Sequence, residues 1–183
     1  ASKKTIITAC PHCFNRLANE YSDFGGTYDV VHHADFLNGL LVAGKLVPSK
    51  AVKGKVVYHD SCYLGRYNQI YDSPRQILQS IEGLELTEVE YWNRKKGLCC
   101  GAGGAQMFME EHGDERVNNK RTLQLLNTGA TTIASGCPFC MTMLTDGLKA
   151  QEKEEEIGQR DIAEILADAI ELDEVEQTPV AAE

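Results

Sequence analysis

The sequence lacks the long apolar run that a membrane span requires, and it lacks a local stripe of basic residues. No stretch of about 18 consecutive apolar residues occurs in its 183 positions, so no transmembrane helix is predicted. The net charge of -9 makes nucleic acid and anionic lipid poor partners, since no basic segment offsets it. Apolar residues form 43% of the chain, which is enough for a packed core and indicates a soluble globular protein.

A secretion signal and a disulfide framework are also missing. The chain begins Ala1-Ser2-Lys3-Lys4 without methionine, and no cationic segment followed by an apolar core comes after it. We therefore expect an excised portion of a longer, cytoplasmic protein. Seven cysteines are fewer than a small disulfide scaffold carries, and an odd number cannot pair completely. They favour metal-binding thiolates in a reducing compartment.

Short β-branched runs alternate with helical patterns along the chain. Strands are predicted over 5–9, 28–32, 55–59, 86–91 and 131–135. Helices are predicted over 14–21, 34–45, 73–81, 106–127 with an interruption at Gly113, 137–153 and 161–171. This alternation predicts an α/β fold of parallel βαβ units, with the cysteine loops gathered at one edge of the sheet. The acidic segment 173–183 is predicted to be a disordered tail.

A repeat relates the start of the chain to its later part. The segment 5–13 aligns with 132–140 at a constant offset of 127, so that Cys10 and Cys13 match Cys137 and Cys140. Three further cysteines precede the later pair, whereas too few residues precede Cys10 to hold their counterparts. We expect residues 1–50 to be the C-terminal remnant of a first cysteine-rich half and residues 51–172 to be a complete second half.

The cysteines of the second half follow a regular spacing. Between Cys62 and the adjacent pair Cys99-Cys100 lie 36 residues, and 36 more lie between that pair and Cys137, with Cys140 in the same turn. Loops after parallel strands meet at the carboxyl edge of a sheet, so these five thiolates can converge there. The glycines around the adjacent pair allow close approach and offer N–H groups to sulfur. We interpret the five as ligands of a multi-iron cluster.

Other interpretations of these residues stay open. A closed zinc site needs four ligands and gains nothing from a fifth, adjacent thiolate, but Cys-x-x-Cys pairs often bind zinc. Buried structural cysteines or a redox disulfide are further alternatives. Cys10 and Cys13 are possible ligands of an incomplete first site. His59 is a candidate proton relay because it lies three residues before Cys62, and a merely hydrogen-bonded histidine explains it equally well.

Three segments carry the cysteines of the second half: His59-Asp60-Ser61-Cys62, Gly97-Leu98-Cys99-Cys100-Gly101-Ala102-Gly103-Gly104 and Cys137-Pro138-Phe139-Cys140. Together they resemble the CCG cysteine-rich domain, which occurs twice in the catalytic subunit of heterodisulfide reductase. In that family the motif holds a non-cubane [4Fe-4S] cluster. The resemblance implies such a cluster here, on Cys62, Cys99, Cys100, Cys137 and Cys140.

Flanking segments are similar to a narrower group. Residues 10–15, 31–33, 63–68 and 141–147 resemble bacterial membrane-bound iron–sulfur oxidoreductases that link electron-transfer flavoprotein to menaquinone. The resemblance implies an oxidoreductase that carries electrons from a flavoprotein towards a quinone. It also implies ferredoxin-like and membrane parts of a parent chain on the cytoplasmic face of the cell membrane. The alternatives are a disulfide reductase, as in the wider family, and a non-enzymatic zinc module.

Overall fold

The structure is a computed structural model that describes residues 4–109 and 116–171. Within these residues, strands alternate with α-helices. The strands are β1 (Thr5–Thr8), β2 (Asp29–His32), β3 (Gly54–Tyr58), β4 (Leu84–Thr87), β5 (Thr132–Ser135) and β6 (Gly158–Asp161). The helices are α1 (Pro11–Asn15), α2 (His33–Val42), α3 (Asp72–Gln79), α4 (Val117–Leu126), α5 (Pro138–Ala150) and α6 (Ile162–Asp168).

The larger sheet has four parallel strands in the order β4-β3-β5-β6. β3 lies inside it, with Val56 opposite Leu86 on one side and Thr132 on the other. Because both faces of a parallel sheet are covered by crossover helices, its central strands are buried on both sides. The fold predicted from the alternating pattern is therefore confirmed: the chain is α/β and built from parallel βαβ units.

Side-chain alternation along β3 divides the core into two layers. Val56 and Tyr58 point towards α3 and α6, where they pack with Ile77 and Leu166. Val57 points to the opposite face, where the core is formed with α4 and α5 by Leu125, Ile133, Leu144 and Leu148. Helices on both faces hold the sheet rigid, and a rigid sheet fixes the loops that leave its carboxyl edge.

A second, two-stranded parallel sheet is formed by β1 and β2. Its register repeats that of β5 and β6: Thr8 lies opposite His32 as Ser135 lies opposite Asp161. α2, which follows β2, packs against α3 and α6 of the main body. Among the described residues, no helix combines the length and the apolar character needed to cross a membrane.

Some boundaries differ from the sequence predictions. The helix predicted over 106–127 is wrong at its start, because a 3₁₀ turn ends at Phe108 and Met109 has an extended backbone. The α-helix of this region, α4, is Val117–Leu126, and residues 110–115 lie outside the described residues. Gly113 and the predicted tail 173–183 lie outside the described residues. The strand predicted over 86–91 begins and ends earlier, as β4. The polar strand β6 was not predicted, since it shows no apolar alternation.

Candidate metal centre

The cysteine loops leave the same edge of the main sheet. Cys62 follows β3 and precedes a π-helical turn over Tyr63–Tyr67. Cys137 follows β5 and is the N-cap residue of α5, which places Cys140 in the first turn of that helix. The adjacent cysteines Cys99 and Cys100 lie in the long loop after β4. The topology therefore brings the ends of three neighbouring strands, and their cysteines, to one place.

Five cysteine side chains interact in a continuous series. Neighbouring thiols shift one another's pKa through side-chain interactions, in the order Cys62, Cys99, Cys100, Cys140, Cys137. All seven cysteines of the chain lie in the described part, and none is in a disulfide. The five residues predicted from spacing are thus brought together.

Burial of the set is graded from one end to the other. Cys137, Cys140 and Cys100 are 0%, 1% and 3% exposed, and they form a buried cluster with Ala102 and Met143. Cys62 and Cys99 are partly exposed. A charged cofactor held here would therefore be shielded from water on its inner side and open to a partner on its outer side.

The five thiols shift one another's pKa values, so that they do not all ionise in the metal-free protein. The pKa of Cys99 is strongly lowered by hydrogen bonds from Cys100 and Cys62, while the pKa of Cys62 is raised by the same contact. Hydrogen bonding to Cys140 lowers the pKa of Cys137 to about 5, while Cys100 and then Cys137 raise the pKa of Cys140. Each thiolate is stabilised by its neighbour's remaining proton. All five can ionise together only beside a cation, which is the condition for a metal-thiolate site.

Gly101 meets two requirements of the loop that carries the adjacent cysteines. Its φ of +90° is a left-handed conformation that favours glycine, and its N–H donates to the Cys99 sulfur over 3.4 Å. A methyl group here would also lie 3.4 Å from the Met143 Cε atom and the backbone nitrogen of Asn118. The N–H group expected from the glycine-rich sequence is therefore present, and it points at sulfur.

His59 lies close to two of the cysteine sulfur atoms. A ring nitrogen of His59, Cys100 Sγ and Cys140 Sγ all fall within 4.8 Å of one another. The imidazole is fully buried, and its Nδ1 accepts a hydrogen bond from Arg121 Nε over 3.1 Å. Burial, and then the Arg121 charge, lower the His59 pKa to about 3. The proton relay predicted for His59 stays a prediction.

Sequence reasoning missed Arg121. Its guanidinium is completely buried in the core, on the same face of α4 as Leu125. The sequence did contain a signal for this burial. Arg121 lies four positions before the core residue Leu125, and residues i and i+4 share a helix face. Lysines and arginines are fully buried only rarely, so this arrangement indicates a specific role.

The first-half cysteines lie next to the five. Cys10 is the N-cap residue of α1, and Cys13 is exposed in its first turn. His12 contacts Cys10 with Nδ1 at 3.9 Å from the sulfur, and its ring also interacts with the Cys137 side chain. These contacts with Cys10 and then Cys137 raise the His12 pKa to about 9. Sequence spacing could not predict that His12 would link the two halves.

A cleft of about 360 Å³ opens beside this junction. His12 stacks against Tyr63 at 4.2 Å and meets Phe139 edge-on at 5.2 Å between ring centroids. These three rings line the cleft together with Arg16 and Phe108. The cleft is aromatic and lies next to the cysteine residues, which is suitable for a small organic molecule.

Coupled, largely buried thiols at the carboxyl edge of a parallel sheet define the class of the protein as a cysteine-rich α/β domain. Residues 56–145 match the CCG family, described as a cysteine-rich domain. This part of the chain is similar to that family, and the resemblance noted in its motifs is confirmed.

Three relatives extend over nearly the whole chain. It is 47% identical over 167 residues to the probable iron-sulfur-binding oxidoreductase FadF of Bacillus subtilis, covering 91% of this chain and 24% of the relative. It is 45% identical over 175 residues to the EtfAB:quinone oxidoreductase of Syntrophomonas wolfei, covering 92% and 24%. It is 31% identical over 172 residues to a subunit of the dihydromethanophenazine:CoB–CoM heterodisulfide reductase of Methanosarcina barkeri, covering 92% and 41%. The chain thus spans a quarter to two fifths of their lengths.

Proposed function

We propose that the chain is the cysteine-rich electron-transfer part of an iron–sulfur oxidoreductase. In this proposal one [4Fe-4S] cluster, of non-cubane type, is bound by Cys62, Cys99, Cys100, Cys137 and Cys140. The observation that carries the proposal is the continuous series of five interacting cysteines, contributed by three loops of one sheet edge.

The contacts of the adjacent cysteines favour a cluster over zinc. Cys99 contacts Cys62 on one side, while Cys100 contacts Cys140 on the other. One tetrahedral zinc ion uses four ligands, so a fifth coupled thiolate would have no function there. A multi-iron cluster has several metal atoms to bind, and when present it supplies reversible one-electron transfer. The chain contributes soft thiolates, the Gly101 N–H and a buried inner wall.

The electron donor and acceptor are proposed from the relatives. One relative is named an EtfAB:quinone oxidoreductase, and we propose by analogy a flavoprotein donor and a quinone as the final acceptor. A quinone is dissolved in the membrane, so the parent protein would act at the cytoplasmic face of the cell membrane. Ferredoxin-like and membrane parts of that parent chain would complete the electron path.

A disulfide reductase is the second candidate, and the cleft favours it. The cleft brings His12, Tyr63 and Phe139 beside Cys137, where a small disulfide could approach. One relative is named as part of a heterodisulfide reductase. A parent protein that reduces disulfides rapidly, yet exchanges no electrons with a flavoprotein or a quinone, would establish this alternative instead.

We further propose that residues 51–172 are a complete domain and residues 1–50 the C-terminal remnant of a related one. Support comes from the matched registers of the two strand pairs, Thr8 with His32 and Ser135 with Asp161. It also comes from the helix starts, since His32 and Asp161 each accept a hydrogen bond as the N-cap residue of the following helix.

Anaerobic reconstitution tests the cofactor. We expect about four irons with matching sulfide and a broad visible absorbance, because the site offers five soft ligands. A colourless protein with one zinc per chain would refute the proposal. Cys99→Ser should lose most of the iron, since serine is nearly isosteric but a harder ligand. Cys13→Ser is the matched control in an exposed position and should keep the iron; equal losses would show that the ligands are wrongly assigned.

A further inference from the structure

Arg121 and His59 form a buried pair behind the cysteines. Arg121 Nε donates to His59 Nδ1 over 3.1 Å, and Arg121 Nη1 donates to the Trp92 carbonyl over 2.9 Å and to Gln124 Oε1 over 3.0 Å. The His59 main chain is held as well, because its backbone nitrogen donates to the Ala134 carbonyl over 2.8 Å. Neither side chain has exposed surface. Both groups are therefore held in one orientation.

The chemistry of the pair determines where the His59 proton lies. A guanidinium has only donors, so the His59 Nδ1 that faces Arg121 must be an acceptor without a proton. A neutral imidazole then carries its proton on Nε2. Within the described part of the chain, Nε2 is buried and has no hydrogen-bond partner. The sulfur atoms of Cys100 and Cys140 lie within 4.8 Å of a ring nitrogen of His59.

We propose that Arg121 is a positioning residue that fixes the Nε2–H tautomer of His59 and so directs an N–H donor at the Cys100 and Cys140 sulfurs. An N–H directed at a ligating sulfur stabilises the more negative, reduced state and raises the reduction potential. His59 is then a fixed donor that tunes the site. This role differs from a proton relay, which needs a ring that exchanges its proton.

The tautomer can be measured without iron. In protein labelled with ¹⁵N-histidine, two-bond ¹H–¹⁵N correlation spectra distinguish the Nε2–H form from the Nδ1–H form. We expect a single Nε2–H pattern for His59 at neutral pH in the chain without metal. An Nδ1–H pattern would overturn the proposal whatever the variants show, and this measurement does not depend on the proposed function.

Variants test whether Arg121 causes the tautomer. Arg121→Met removes the donor, so the single Nε2–H pattern should give way to a mixture or to the Nδ1–H form. Arg121→Lys keeps a donor and should restore the pattern. Arg160→Met is the control, since it removes an arginine that bonds Asp168 and the Glu164 carbonyl on the surface. A pure Nε2–H pattern in Arg121→Met would show that Arg121 does not set it.

The reduction potential tests the consequence and rests on the proposed function. In iron-loaded protein, Arg121→Met should shift the potential to a more negative value, and Arg160→Met should leave it unchanged. The shift should largely disappear when His59→Phe is also present, because Arg121 then has no ring to orient. An undiminished shift in the double variant would overturn the positioning role. Failure to bind iron would refute the proposed function but leave the tautomer result standing.

Discussion

His33 Nε2 lies 2.9 Å from Asp161 Oδ1, although 128 positions separate the two residues. The same carboxylate oxygen accepts a hydrogen bond from Ala163 N over 2.9 Å and so caps α6. Glu164 completes a capping box by accepting from the Asp161 backbone nitrogen over 2.8 Å. One carboxylate therefore begins a helix of the main body and ties the first-half residues to it.

Substitution of Asp161 should separate these two roles. Asp161→Ala removes both the cap and the partner of His33, and we expect a loss of about 2 kcal/mol in the free energy of unfolding. Asp161→Asn should cost less, because an amide oxygen can still cap the helix. Urea unfolding followed by circular dichroism measures both. Equal losses for the two variants would contradict a contribution from the cap.

The loop that leads to Cys62 is held by a buried ion pair. Arg75 donates to both Asp60 carboxylate oxygens over 2.8 Å, and it also contacts Glu88. Asp60→Asn should therefore destabilise the fold by about 3 kcal/mol, since it leaves a buried charge incompletely paired. The exposed pair of Asp72 and Arg94 is the control, and Asp72→Asn should change the stability by less than about 1 kcal/mol. Similar effects of the two variants would argue against the buried pair as an anchor.

Close packing of α4 on α5 depends on Gly147. A methyl group at this position would overlap with the Thr122 Oγ1 atom on α4. Gly147→Ala should lower the melting temperature, with a cost of about 1–3 kcal/mol for overpacking. Gly39→Ala is the matched helical control, because nothing lies within 4 Å of its added methyl group. It should stabilise the protein by up to about 1 kcal/mol, and an equal loss of stability in both variants would argue against overpacking at Gly147.

Acid should destabilise the protein partly through His32. Burial, and then the neighbouring His33, lower the His32 pKa from 6.5 to about 4, whereas Asp161 and the carbonyls of Ala9 and Gly136 oppose this shift. The unfolded chain therefore binds a proton that folded His32 rejects. Between about pH 6.5 and pH 4 this difference should remove about 3 kcal/mol of stability as the pH falls.

His32→Asn tests this pH dependence. Asparagine can still accept from the Ala34 backbone nitrogen as an N-cap residue, but it does not titrate. The stability of the variant, measured by denaturant unfolding at several pH values, should fall less steeply than that of the wild type below pH 6.5. Parallel slopes for the two proteins would show that His32 is not the group responsible.

The backbone of the adjacent-cysteine loop should matter for iron binding. Gly101→Ala forces a side chain into a left-handed conformation against Met143 and disturbs the N–H that contacts Cys99. We expect it to lower the iron content after reconstitution. Gly103→Ala, in the same loop with nothing within 4 Å of the added methyl group, should keep it. Equal iron contents in the two variants would show that the Gly101 conformation is not required.

Much of the architecture followed from local pattern. The runs around Thr5, Val56 and Ile133 predicted parallel strands because β-branched and apolar residues between helical segments indicate buried strands. The convergence of the five cysteines followed from topology alone, since the ends of parallel strands share one edge. These predictions needed only the order of residues along the chain.

Only the tertiary structure decided the contacts that determine the chemistry of the site. The bond between Arg121 and His59, the link from His12 to Cys137, and the pair of His33 with Asp161 join residues far apart in sequence. No periodicity encodes such contacts, because they depend on how the helices pack over the sheet. The polar strand β6 became a strand for the same reason, since an edge position beside β5 supplies backbone hydrogen bonds without requiring apolar side chains.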